Sequence, residues 1–186
     1  MSKSPIKKRV SKGQWLDTAM EVLARSGIEA VRIESMAEQL GIAKSGFYWH
    51  FKDRNDLYRQ MLKTWEHETT LIITGNPEIS SKPAIKRLEH ILQTISDFEL
   101  ARAECAIAVW SCLDAVARKT KNRVYNARTN FVRAQFEELG FKGDELEMRT
   151  QLFTVYANYE YATYSHLPKS KRCRLIKRLL RLLTQK

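Results

Sequence analysis

Apolar side chains recur every three or four residues along almost the whole chain, a spacing typical of amphipathic α-helices. The alternation of apolar and polar residues that marks a half-buried β-strand does not occur in any segment. Glycine and proline are also few, at 7 and 4 of 186 residues, which favours long uninterrupted helices over a turn-rich β-sandwich. The sequence therefore predicts an all-α protein that is long enough to bury a sizeable apolar core.

The periodic segments divide into about nine helices. Two of the shorter ones, 32–40 and 44–50, are separated by a turn that Gly41 leads, and both have apolar residues on one face. That arrangement is typical of a helix-turn-helix, although plain helical hairpins share it. The composition of residues 74–83, TGNPEISSKP, indicates a linker. The predicted helices are 11–26, 32–40, 44–50, 55–74, 83–97, 101–119, 122–139, 144–166 and 169–184.

The net charge of +11 lies at the two ends of the chain. Residues 1–63 carry 12 Lys or Arg against 7 Asp or Glu, residues 64–168 carry 12 against 14, and residues 169–186 carry 8 against none. A basic N-terminal part indicates contact with a polyanion, and the alternative is a merely solvated basic face. Residues 1–12 form a basic arm that either adds DNA contacts or remains a solvated tail. The arm lacks the apolar segment of a secretory signal, so we expect a cytoplasmic protein.

Several spaced motifs lie close together in the N-terminal part: RSG at 25–27, MA at 36–37, LGI at 40–42 and FYWHF at 47–51. With these motifs, residues 16–62 resemble the DNA-binding domain of the TetR family of bacterial transcriptional regulators. The resemblance implies a helix-turn-helix domain at 13–57 and a regulatory domain at 58–186, which would bind an effector and form a homodimer. It covers about a quarter of the chain.

Helical geometry places four polar or exposed positions, Lys44, Ser45, Tyr48 and Trp49, opposite the apolar side chains that would anchor the same helix. Gly46 costs helix stability, which is explained if the backbone there approaches another surface closely. The family resemblance assigns Tyr48 and His50 to phosphates and Lys52 and Arg54 to the DNA backbone. It assigns Lys44, Ser45 and Trp49 to bases. The predicted DNA-binding residues are Arg32, Lys44, Ser45, Gly46, Tyr48, Trp49, His50, Lys52 and Arg54.

Two positions depart from the family pattern. Arg32 lies where the family usually has Thr or Ser at the start of the second helix, and it can replace a hydroxyl contact with a charged one to phosphate. Ala43 lies where a Ser commonly caps the recognition helix, so this helix lacks the usual side-chain cap.

Aromatic residues are spread over the middle helices, where they form either an apolar effector pocket with a few polar groups or an ordinary core. The helix at 55–74 is the one continuous element that joins the basic N-terminal part to this region, so it is expected to couple effector and DNA binding. The predicted pocket residues are Trp65, Phe98, Trp110, Asp114, Tyr125 and Tyr156.

The helix at 144–166 is apolar around most of its girth, and the helix at 169–184 has a leucine-rich stripe opposite a basic face. The family resemblance implies that these two helices form the dimer interface. The alternative is that the basic last helix anchors the protein at a membrane surface.

Motifs for catalysis or metal binding do not rise above chance. The four histidines are scattered along the chain. Cys105 and Cys112 share one helix face, where they are either small buried residues or a redox sensor. We therefore expect no enzymatic activity, no metal and no cofactor. The sequence predicts a repressor that a small-molecule effector releases from a double-stranded, pseudo-palindromic operator, without membrane association. The alternative is a DNA-binding protein of the same fold that is controlled by a protein partner and has no ligand pocket.

Overall fold

The computed structural model describes residues 9–74, 77–97 and 100–185, which form α-helices and two short 3-10 helices and contain no β-strand. The all-α prediction is therefore confirmed. None of the helices in these ranges is both long and apolar enough to cross a membrane. The α-helices are α1 (Lys12–Ser26), α2 (Ile33–Leu40), α3 (Arg54–Thr74), α4 (Pro77–Ser80), α5 (Ala84–Asp97), α6 (Leu100–Leu113), α7 (Ala115–Glu138), α8 (Gly143–Tyr164) and α9 (Lys169–Thr184), and the 3-10 helices are η1 (Ile28–Ala30) and η2 (Lys44–Trp49).

Helix α1 begins at a capping box. The Ser11 hydroxyl accepts from the Gln14 backbone N–H at 3.3 Å, and the Ser11 N–H donates to the Gln14 side chain at 2.8 Å. Both bonds satisfy backbone or side-chain groups that a helix start leaves unpaired. Because Lys12 is already the first helical residue, the basic arm ends one residue earlier than predicted.

The predicted pair of short helices is present, but the second member is a 3-10 helix. Gly41 ends α2 with φ 69° and ψ 36°, a left-handed conformation that glycine adopts without strain. The following helix, η2, has no side-chain cap at Ala43, and its bonds include Gly46 N–H to the Ala43 carbonyl at 2.9 Å. The segment is short and uncapped, which fits the tighter 3-10 geometry.

The predicted boundary between the helices 101–119 and 122–139 is wrong. The chain breaks at Asp114, whose extended backbone (φ −128°, ψ 127°) separates α6 from α7. The Asp114 side chain accepts from the Ala117 N–H at 2.7 Å and so caps α7, whereas the polar residues at 119–122 continue the helix. The predicted linker at 74–83 also contains a short helix, α4.

The buried apolar residues form two cores. The first combines residues of α1, α2, η2 and α3 with Ile107, Trp110, Ala117 and Val124 of α6 and α7. The second joins α5, α7, α8 and α9, around Phe136 and Phe153. Helix α3 is therefore not the sole structural link between the N-terminal helices and the middle of the chain, because the α6–α7 corner packs in the same core.

Candidate nucleic-acid interface and regulatory cluster

Two buried aromatic residues hold η2 against the N-terminal core. Phe47 and Phe51 are 0% and 2% exposed, and their rings stack with centroids 5.0 Å apart. Trp15 meets Phe47 edge to face at 5.4 Å. Because the inward side of η2 is occupied in this way, Tyr48 and Trp49 project outward and are 55% and 87% exposed.

These two side chains and the exposed predicted DNA-binding residues around them are together called the reading face. A groove runs beside it, and its lining includes the backbone before α1, the Gly41 turn and η2. Of the residues that line this groove, those predicted from the sequence to bind DNA are Ser45, Gly46, Trp49 and His50. The exposed residues of the reading face are Arg32, Lys44, Ser45, Tyr48, Trp49 and Lys52.

The glycine at position 46 is explained by packing inside the protein. A Cβ atom added there would lie 3.1 Å from Cδ1 of Ile42, which is closer than most such contacts. The surface that the backbone approaches is therefore Ile42, across the α2–η2 turn. The backbone at Gly46 does approach another group closely, as predicted, but that group is the Ile42 side chain of this chain.

Lys44 has an ion-pair partner within the reading face. Its ammonium donates to the Glu34 carboxylate of α2. This hydrogen bond lowers the pKa of Glu34 and raises the pKa of Lys44. Arg32 also has a local partner, since its Nε donates to the Glu29 carbonyl at 3.2 Å. Both side chains remain exposed, so a DNA phosphate or base would compete with these contacts.

His50 and Arg54, which were predicted to contact phosphates, both have partners inside the protein. His50 Nε2 lies 2.9 Å from the Val10 carbonyl, which can only accept, so this nitrogen donates. The bond holds the segment before α1, where Val10 is 7% exposed, against the end of η2. The Arg54 guanidinium lies over the Tyr58 ring, 5.0 Å from its centroid.

Two of the predicted pocket residues, Trp65 and Tyr125, meet in a buried group that we call the Glu104 cluster, which also contains Glu104 and Arg128. The Trp65 indole N–H donates to Glu104 Oε1 at 3.1 Å, and Arg128 Nη2 donates to the same oxygen at 2.6 Å. The Arg128 guanidinium lies 5.7 Å from the Trp65 ring centroid and 5.9 Å from that of Tyr125. Burial, with a smaller effect from Glu104, raises the pKa of the Tyr125 hydroxyl. The cluster thus joins α3, α6 and α7.

The other predicted pocket residues make different contacts. Trp110 packs edge to face on Tyr58 at 5.3 Å in the first core, and the Asp114 carboxylate caps α7. Tyr156 contacts the second core, with its ring 6.0 Å from that of Tyr164. That these residues share one pocket with Trp65 stays a prediction, and Phe98 lies outside the described residues.

Sequence reasoning missed Glu104 and Arg128, which contribute the charges of the cluster. A signal existed for the acid: Glu104 is the lone charged residue between Ala103 and Leu113, in an otherwise apolar helix. A charge in such a position is usually paired. Its partner could not be found in the same way, because Arg128 lies 24 residues further along a helix with many basic residues.

An apolar stripe lies exposed on α8, one of the two predicted dimer helices. Its residues follow the helical repeat at intervals of three and four, and each is about half exposed. Leu182 on α9 is also 67% exposed. The members of the α8 stripe are Met148, Leu152, Val155 and Tyr159.

Comparison with known proteins gives matches both to the N-terminal sequence and to the whole fold. Residues 16–61 match the model of the family described as bacterial regulatory proteins, tetR family. A curated relative, the HTH-type transcriptional regulator AcrR of Shigella flexneri, is 31% identical over 51 residues, which is 27% of this chain. That match covers 22% of the relative, so the chain spans about a fifth of its length.

Solved structures extend the likeness over nearly the whole chain. A transcriptional regulator from Rhodococcus sp. Rha1 has a TM-score of 0.72 at 16% identity, covering 94% of this chain and 96% of that one. The regulator FadR from Bacillus subtilis, in complex with stearoyl-CoA, has a TM-score of 0.71 at 16% identity, covering 94% and 98%. At these identities the likeness concerns the fold. Residues 16–61 therefore match the tetR family of bacterial regulatory proteins in sequence, and the chain shares the fold of these solved regulators along nearly its whole length.

Proposed function

We propose that the protein is a transcriptional regulator that binds operator DNA through the reading face. The observation that carries this proposal is the arrangement of η2 and the residues just after it, in which Phe47 and Phe51 are buried while Tyr48 and Trp49 project into solvent. Tyr48 and Trp49 are adjacent exposed aromatic residues, and an exposed aromatic patch beside basic residues is typical of a binding surface. Lys44, Ser45 and Trp49 contact bases in this proposal, whereas Tyr48, Arg32 and Lys52 contact phosphates.

His50 and Arg54 act differently in this proposal. His50 holds the chain before α1 through the Val10 carbonyl, and that contact keeps Arg9 and Val10 at the groove beside η2. Arg54 rests on Tyr58 at the start of α3 and keeps the fold of the reading face. Gly46 provides room for Ile42 and contacts DNA only through its backbone.

The protein acts as a homodimer that joins through α8 and α9. Four half-exposed apolar residues in one stripe on α8, with Leu182 on α9, form a face that a second copy can cover. A two-fold dimer presents two copies of η2, which must lie about 34 Å apart to enter successive major grooves. The operator is therefore pseudo-palindromic, and loss of the α8 contact removes binding to paired half-sites.

A small-molecule effector controls DNA binding from the Glu104 cluster. The Bacillus subtilis neighbour of the same fold holds stearoyl-CoA, which supports ligand binding by this architecture. In this chain the cluster includes Trp65 of α3, the helix that begins directly after η2. A ligand that moves Trp65 would move α3 and change the spacing of the two reading faces. Allosteric coupling of about 1 to 3 kcal/mol is sufficient for release. Because the effector releases the regulator from its operator, the regulator acts as a repressor.

Selection of bound duplexes from a random DNA pool tests the proposal. We expect enrichment of a site with two related half-sites, bound at least about 1000-fold more tightly than random DNA. With roughly 6 to 10 phosphate contacts per dimer, affinity should fall about 10³- to 10⁵-fold between about 50 and 200 mM salt. Absence of an enriched sequence, or a flat salt profile, contradicts the proposal.

Substitutions on the enriched operator assign the individual roles. Tyr48→Ala should weaken binding to all sequences alike, whereas Lys44→Ala should relax discrimination by about 1 to 3 kcal/mol at one base pair of each half-site. Lys142→Ala, at an exposed lysine in the α7–α8 turn, is a matched control that should bind as the wild type does. Undiminished operator affinity in both reading-face variants would contradict the assignment of η2.

A further inference from the structure

The Glu104 carboxylate has one oxygen without a hydrogen-bond partner. The residue is 8% exposed, and Oε1 receives both the Trp65 indole N–H and the Arg128 guanidinium. Oε2 is buried and finds no donor in the described part of the chain. A buried carboxylate oxygen without a donor is rare in folded proteins, because burial removes its water without replacing it. This oxygen can therefore accept a hydrogen bond from a further donor.

The surroundings restrict the group that can donate to Oε2. Arg128 already balances the charge of Glu104 at 2.6 Å, so an additional buried charge would lack a counter-charge. The guanidinium also lies over the rings of Trp65 and Tyr125, and Lys121 lies 5.6 Å from the Tyr125 centroid. The ring faces that attract a ligand ammonium are therefore occupied by the protein's own cations. A neutral donor is the group that fits.

We infer that the effector is a small, largely apolar and uncharged molecule with a hydroxyl group, and that this hydroxyl donates to Glu104 Oε2 beside Trp65 and Tyr125. The inference rests on the proposed function, since it specifies the ligand class of the Glu104 cluster. The aromatic side chains provide the apolar contact, and the carboxylate oxygen provides the polar selectivity. A site with an acceptor of this kind discriminates against an analogue without the hydroxyl, because Oε2 then stays unpaired.

The same carboxylate connects the ligand to the DNA-binding helices. Trp65 donates to Oε1 while the ligand would donate to Oε2, so a rotation of the carboxyl group toward the ligand changes the bond that Trp65 makes. Trp65 is 1% exposed in the first core, which also contains Phe47 of η2. Glu104 is therefore a ligand-binding residue that also positions Trp65.

The probes are four molecules that share a benzene ring: phenol, toluene, benzoate and benzyltrimethylammonium. Each is titrated into the full-length protein labelled with ¹⁵N, and the indole N–H resonance of Trp65, assigned by its loss in Trp65→Phe, is followed. Phenol should shift this resonance in a saturable way, and toluene, benzoate and the ammonium should each bind at least about tenfold more weakly. Equal or tighter binding of any of the other three, or no effect of phenol, overturns the inference.

Two variants test the carboxylate itself. Glu104→Gln should weaken phenol binding at least about tenfold, because the amide disturbs both the acceptor and the Arg128 pair. Glu66→Gln is the matched control: it makes the same chemical change one residue after Trp65, at a carboxylate paired with Arg123, and should keep wild-type phenol binding. Unchanged binding in Glu104→Gln overturns the inference. If that variant does not fold, the comparison of phenol with toluene in the wild type decides the inference.

The two proposals fail in distinguishable ways. Selection of an operator whose binding is insensitive to phenol, together with an unchanged Trp65 resonance, overturns the neutral-donor inference and leaves DNA binding supported. A phenol-dependent Trp65 resonance in a protein that enriches no DNA sequence supports the ligand class and overturns the proposed function.

Discussion

Glu160 and Arg172 form a buried ion pair that fastens α9 to α8. Arg172 Nε donates to Glu160 Oε1 at 2.8 Å, and Nη2 donates to the other carboxylate oxygen. The Glu160 side chain is 1% exposed and the Arg172 side chain is 10% exposed. Arg172→Met keeps the length of the side chain and removes the charge, so the Glu160 carboxylate stays buried without its counter-charge. We expect a loss of about 3 to 5 kcal/mol in the free energy of unfolding. For a chain of this size that loss lowers Tm by about 6 to 20 °C.

The double variant Glu160→Leu/Arg172→Met removes both charges and should recover most of the lost stability, because a buried ion pair itself contributes little beyond what apolar residues can replace. Urea denaturation followed by circular dichroism measures all four proteins, at one protein concentration because dimer stability depends on it. The reasoning is refuted if Arg172→Met costs less than about 1 kcal/mol, the value of an exposed pair, or if the two single losses simply add.

Three further outcomes are expected. The Arg123 hydrogen bond holds the pKa of Glu66 below its ordinary value, so this pair stabilises the fold above the unfolded-state pKa and loses its effect as pH falls through the folded-state value. Urea denaturation at pH 7 and pH 3 should therefore show a larger loss for the wild type than for Glu66→Gln, by less than about 1 kcal/mol, and equal losses would contradict the pairing. Leu152→Glu places a charge in the α8 stripe and should give a monomer in analytical ultracentrifugation with weakened operator binding; a persistent dimer would exclude this face. Trp65→Phe keeps a ring at a site where alanine would leave a large cavity, and it should reduce the effector response more than operator affinity, whereas an unchanged response would remove the indole N–H from the coupling.

Much of the fold was predictable because its signals are local. The period of the apolar residues predicts helices wherever it persists, and the Ser11–Gln14 capping box and the Gly41 turn each involve residues three or four positions apart. The same holds for the segment at 47–51, where Phe47 and Phe51 are four residues apart and so share the buried face, while Trp49 lies on the exposed side. Local signals can also mislead. The helices were predicted to meet between 119 and 122, whereas the chain breaks at Asp114, which caps the start of α7.

The tertiary structure decided which charged groups meet. Arg128 and Glu104 are 24 residues apart, and His50 and the Val10 carbonyl are 40 apart, so no periodicity in the sequence relates them. The sequence by itself determined the helices, the anchored aromatic pair and the exposed residues of η2, because these depend on neighbours along the chain. The partners of Lys44, His50 and Glu104, and hence what each side chain is free to bind, were determined only when helices packed together and desolvated their facing groups.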